Sequence, residues 1–85
     1  MVTFKARVEQ IVTVDDAEEQ IRLAKNYVKR LRLKAKHEVT LDAKLRLQED
    51  VKAAESVLRQ LRRAIFDIED AIAEGKPASS ILKAA

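Results

Sequence analysis

Cysteine is absent from the chain, and glycine, proline and histidine occur once each. Without cysteine there is no disulfide framework and no thiolate metal site. With one glycine and one proline there is almost no vocabulary for tight turns, which argues against a sheet of many short strands. Aromatic residues are limited to two phenylalanines and one tyrosine, too few for a wide globular core. No apolar run is longer than Ala64-Ile65-Phe66, far short of the roughly 20 residues a membrane span requires. The first ten residues carry Lys5, Arg7 and Glu9 with no apolar stretch behind them. No signal peptide is read there, and the cytoplasm is the expected compartment.

What remains is dominated by Ala, Leu, Glu, Lys, Arg and Gln, the strong helix formers. Charged residues make up 36% of the 85, a composition that fits a long helix or coiled coil. Two apolar ladders give that expectation a shape. Val14, Ala17, Ile21, Ala24, Val28, Leu31 and Ala35 recur at alternating steps of three and four. Leu47, Val51, Ala54, Leu58, Leu61, Ile65, Ile68 and Ile72 do the same. Each ladder lays one apolar seam along one side of a helix. The jump from Ala35 to Leu47 is not a whole number of heptads, so one unbroken helix would lose its seam there.

The chain therefore reads as all-α, a long antiparallel two-helix coiled-coil hairpin occupying residues 1–75 as a single domain. Helix boundaries are expected at about 15–36 and 42–74, with a turn at about 37–41. If Val28 is labelled a and Leu31 d, antiparallel a-to-d pairing puts Val28 against Ala54, Leu31 against Val51, Ile21 against Leu61, Ala17 against Ile65 and Val14 against Ile68. Helix 1 starts among Thr13 to Asp16, where Asp15 and Glu18 have capping-box spacing. Thr40 caps helix 2, Gly75 suits the left-handed position after it, and Pro77 blocks continuation. Residues 76–85 read as a flexible tail. Residues 1–13 fit either an alternating strand or a short helix on Phe4, Val8, Ile11 and Val12. Helix is favoured because a lone strand would have no partner. Helix 2 is longer than helix 1, and residues 3–13, continuing helix 1 with a phase slip near Val12, would cover the surplus.

Charge sorts by height along such a hairpin. The loop end, residues 25–52, carries a net +5, and the open end, residues 1–20 with 64–85, a net −5. From Arg22 to His37 there are seven Lys or Arg and no acid. Candidate contacts to nucleic-acid phosphates are Lys25, Lys29, Arg30, Arg32, Lys34, Lys36, Lys44 and Arg46. Tyr27 is the only stacking side chain in that stretch, so base reading is not expected. The bland alternative is a solvated face whose cations suit the negative end of the helix dipole. Asp67, Glu69, Asp70 and Glu74 lie at the unfavourable end of theirs, which points to a basic partner or to neutralisation by Lys5, Arg7 or Lys76.

No catalytic constellation is visible. His37, at the bend among lysines, has no placed partner for general-base work or metal ligation and reads as solvated. Ser79 and Ser80 have no adjacent base, and a lone glycine builds no phosphate loop. No catalytic, cofactor or metal residue is assigned, no enzymatic activity is expected, and no small-molecule substrate or membrane partner is implied. Leu23, Tyr27, Leu33, Leu45, Val57 and Phe66 fall off the seam. They read either as scattered surface apolars or as a second interface, of which a homodimer closing into a four-helix bundle is the simplest form.

Residues 40–74 also carry a resemblance. Thr40-Leu41, Lys44-Leu45, Gln48, Lys52 and Glu55, followed by Leu61-Arg62-Arg63-Ala64-Ile65-Phe66-Asp67-Ile68-Glu69-Asp70-Ala71-Ile72, resemble a coiled-coil segment of large bacterial Swi/Snf-type helicase-like ATPases. There the segment forms a helical arm beside the ATPase lobes. The resemblance implies an accessory arm and not a motor, since this chain has no phosphate-binding loop. Two functional expectations follow. One is a non-enzymatic, self-associating helical-hairpin interaction or scaffold module. The other is a nucleic-acid-contacting arm that uses the basic loop end.

Overall fold

A computed structural model describes residues 2–83 of the chain, with the Lys83 side chain outside the description. Four elements follow one another: α1 (Phe4–Glu9), α2 (Val14–His37), α3 (Leu41–Ala73) and a 3-10 helix, η1 (Ala78–Lys83). No strand occurs among the described residues, so the helical reading of residues 1–13 holds over Phe4–Glu9. The two long helices pack against each other as a hairpin, in a molecule 50 × 25 × 16 Å across.

The element boundaries are set by side-chain caps. Thr40 accepts the Ala43 N–H at 3.3 Å and starts α3. At α2 the box is closed by Thr13 and Asp16, not by Asp15 and Glu18. The Asp16 N–H donates to Thr13 Oγ1, and the Thr13 N–H donates to Asp16 Oδ2, each at 3.1 Å. The threonine wins because it adopts the extended backbone of a cap and is followed three residues later by a carboxylate able to reach back. At the far end of α3, Gly75 takes φ +77°. Its N–H donates to Ile72 O at 3.0 Å and that of Lys76 to Ala71 O at 2.8 Å. Both bonds of a Schellman closure are therefore present, and they depend on a residue that reaches the left-handed region freely.

Burial follows the ladders. Ala17, Ala24, Val28 and Ala35 of α2 are buried, as are Val51, Ala54, Leu58, Leu61 and Ile68 of α3. On one flank of the seam Val28 shares a groove with Leu58, and Ala35 shares another with Val51. Glu38 and Thr40 are extended, and the start of α3 projects into solvent, leaving Val39 95% and Leu41 71% exposed.

The surplus of α3 is covered by two pieces, and neither arrives as the sequence suggests. The chain does not continue α2 backwards. It reverses over Gln10–Thr13, so that α1 doubles back beside α2, with Arg7 Nη1 donating to Gln20 Oε1 at 3.2 Å. Residues 78–83, read as part of a flexible tail, instead form η1 against α1 and α3. Ala78 is 1% exposed, and Ile81 and Leu82 pack against the core. Pro77 begins this segment, its carbonyl accepting the Ser80 N–H at 3.0 Å. Residues 84–85 of the expected tail lie outside the described residues.

Candidate functional site

Packing two heptad helices side by side leaves two flanks along the seam, and here they differ in charge. On one flank the exposed positions next to the a residues of α2 are Lys25, Lys29, Arg32 and Lys36, at steps of four, three and four. The facing positions of α3 are Lys44, Lys52, Arg59 and Arg62. Two rows of cations therefore border two adjoining grooves between the helices, which share Arg32 and Glu55 and together make a trough along this flank. Its floor is Val28 and Ala35 from α2 with Leu58 and Val51 from α3. Because all four are almost fully buried, the accessible walls consist largely of the aliphatic stems of the lysines and arginines, which carry their charges outward. Glu55 lies midway along the trough and pairs with Arg32 at 3.1 Å. Among the described residues the other seven cations of the two rows take part in no ion pair.

The opposite flank is neutralised. Lys34 and Arg46 sit there with Glu38, Asp42 and Asp50 around one shallow groove. Arg30 stacks over the Tyr27 ring, 5.7 Å from its centroid. Of the eight cations expected at a nucleic-acid contact, the structure brings together Lys25, Lys29, Arg32, Lys36 and Lys44, and places Arg30, Lys34 and Arg46 elsewhere. Lys52, Arg59 and Arg62 join the trough without having been singled out. Their signal was present in the sequence. Gln48, Lys52, Glu55, Arg59 and Arg62 follow the same three-and-four spacing beside the second ladder. Reading charge by stretch of chain, instead of by helix face, hides that row.

The six off-seam apolar residues do not share a surface. Tyr27 and Val57 are partly buried against the core, while Leu23 is more exposed. By heptad position these three lie on the neutralised flank. Leu33 falls on the outer face of α2, and Leu45 and Phe66 fall on the cationic flank.

Three further features bear on chemistry. Arg7 is only 7% exposed, and its Nε has no hydrogen-bond partner. Burial pushes its pKa below the ordinary guanidinium value, the Tyr27 phenol acts in the opposite sense, and the Arg30 cation lowers it further. Asp16 is held below the usual carboxylate range by the N–H groups of Thr13 and Val12, and Glu19 by its hydrogen bond from Arg22. His37 is the exposed last residue of α2. No cluster of His, Asp or Glu among the described residues is arranged to hold a metal ion, and no helix is long and apolar enough to cross a membrane. No family model matches the chain, and no curated protein and no solved structure matches it.

Proposed function

We propose that the chain is a non-enzymatic helical-hairpin interaction module that docks an anionic partner along its cationic flank. The observation that carries this reading is the pair of facing cation rows, in which only Arg32 has a carboxylate of its own. Unpaired like charges gathered on one flank repel one another, and a partner of opposite sign relieves that repulsion. The long α3 supplies the length, and the α2 seam keeps the two rows parallel.

Self-association, the expectation drawn from the off-seam apolar residues, has weaker support because those residues are dispersed over three faces. Sedimentation equilibrium tests it directly: a monomer at high concentration removes the dimer. A nucleic-acid-contacting arm is the second reading, favoured by the cation rows to the extent that phosphates accept the same charges. The resemblance to helicase-type arms would suit it.

The module reading is tested by retention of the chain on immobilised polyglutamate and on immobilised duplex DNA at low ionic strength. The expected result is retention on at least one matrix, lost in the double variant Lys29→Glu, Arg59→Glu, while Arg30→Glu, Lys34→Glu remains retained. Both residues of the first pair are exposed, so the helical circular dichroism should be unchanged. Absence of retention on either matrix at low salt, where the electrostatic attraction is greatest, overturns the reading.

A further inference from the structure

We infer that the occupant of the cationic trough is an amphipathic α-helix of a partner protein, one whose apolar stripe is bordered on both sides by Asp or Glu. This rests on the interaction-module reading and narrows it to one class of partner.

Four features favour a helix over a nucleic acid. The first is shape. The trough follows the cleft between two antiparallel helices, and a third helix laid along such a cleft completes a three-helix bundle at the ordinary 8–10 Å interaxial spacing. The second is pitch. Lys25, Lys29, Arg32 and Lys36 stand three and four residues apart, so the Cβ atoms of successive cations are about 5–6 Å apart. Acids at the same spacing on a facing helix run in step with them. From Lys44 to Arg62 the α3 wall is about 27 Å long at 1.5 Å per residue, which matches a helix of about five turns.

The third feature is the wall itself. The aliphatic stems of the lysines and arginines, over a nearly buried floor, give an apolar stripe a surface to cover, and a phosphodiester chain gains nothing from them. The fourth is what the trough lacks for nucleic acid. Its own walls include no aromatic side chain on which a base could stack, the exposed Phe66 lying beyond them on the same flank. Tyr27, the one tyrosine, is engaged with Arg30 away from the trough.

The test uses fluorescence anisotropy with four labelled probes at fixed ionic strength. One is an 18-residue helical peptide with a Leu/Ala stripe bordered by Glu. The second has the same composition in scrambled order, so that the charge is kept and the stripe is lost. The third is polyglutamate of equal charge, and the fourth is a 20-base-pair DNA duplex. The expected outcome is that the striped peptide binds about tenfold or more tighter than the scrambled one, and that Lys29→Glu, Arg59→Glu removes this advantage. Backbone amide shifts on adding the striped peptide should follow the a, b and e positions of α2 and α3 and spare Lys34 and Arg46. Equal binding of the striped, scrambled and polyglutamate probes overturns the helix and leaves a plain polyanion surface. Tighter binding of the duplex than of the striped peptide also overturns it, in favour of nucleic acid. Failure of all four probes removes the interaction module as well, so the two failures are told apart.

Discussion

At the scale of single residues, two side chains combine unusual environments with clear expectations. Asp16 accepts the backbone N–H groups of both Val12 and Thr13, and its pKa is lowered in the fold. A carboxyl whose folded pKa is depressed contributes stability that is fully present above its unfolded value and is lost as the pH falls through the folded value. The start of α2 should therefore loosen on acidification below the ordinary carboxylate range. Amide protection factors at Asp15–Ala17, with the intrinsic pH dependence of exchange divided out, should fall there in the native chain, whereas Asp16→Asn should show lowered protection already at neutral pH and little further change. Arg7 presents the converse case. Its guanidinium is buried, its one hydrogen-bonded partner is the neutral Gln20, and its Nε is orphaned. Replacing a poorly compensated buried charge by an apolar side chain of similar length is often neutral or stabilising. Arg7→Met should leave the urea midpoint unchanged or raise it; a clear fall would show that the cation has a partner contributing to the fold.

At the scale of elements, what could be read from the sequence depended on whether the signal was local. The two ladders, the Thr40 cap and the Gly75 stop are patterns within a few residues, and the structure holds α2, α3 and their termini close to the expected places. The two covering pieces are not local. The doubling back of α1, which brings Arg7 within reach of Gln20, is a tertiary arrangement that periodicity cannot anticipate. η1 did leave a trace. Ala78, Ile81 and Leu82 have the spacing of one apolar helix face, but three residues after a proline are too short a run to separate from loop. The same applies to the site: one cation row was read as a stretch of sequence, and the second, which forms a row only on a helix face, was not. Because η1 contacts both α1 and α3, Ala78→Arg should displace it. The expected reading is faster amide exchange in α1 as well as in η1, with α2 near the bend unaffected. Protection of α1 left intact would mean that α1 is held by the long helices alone.

At the scale of the whole molecule, two properties act together. The α2 seam is thin, with three of its seven ladder positions alanine, so the hairpin has little apolar surplus. Charge is segregated along the rod, positive towards the bend and negative towards the open end, where Lys76 answers Glu74 at 3.0 Å. An elongated molecule with opposite ends of opposite sign should orient in the field of a charged partner before contact, which raises association rates at low ionic strength more than it raises affinity. Measured association rates for any anionic probe should therefore fall steeply with added salt, and a flat profile would contradict the steering.

The unrelieved crowding of positive charge across the trough has a consequence for the free protein. Fold and ligand compete over the same electrostatic tension, and simple ions can partly stand in for the ligand by screening it. In the unbound state, raising sodium chloride from a few millimolar towards physiological strength should increase the melting temperature, the reverse of what a hairpin laced by ion pairs would do.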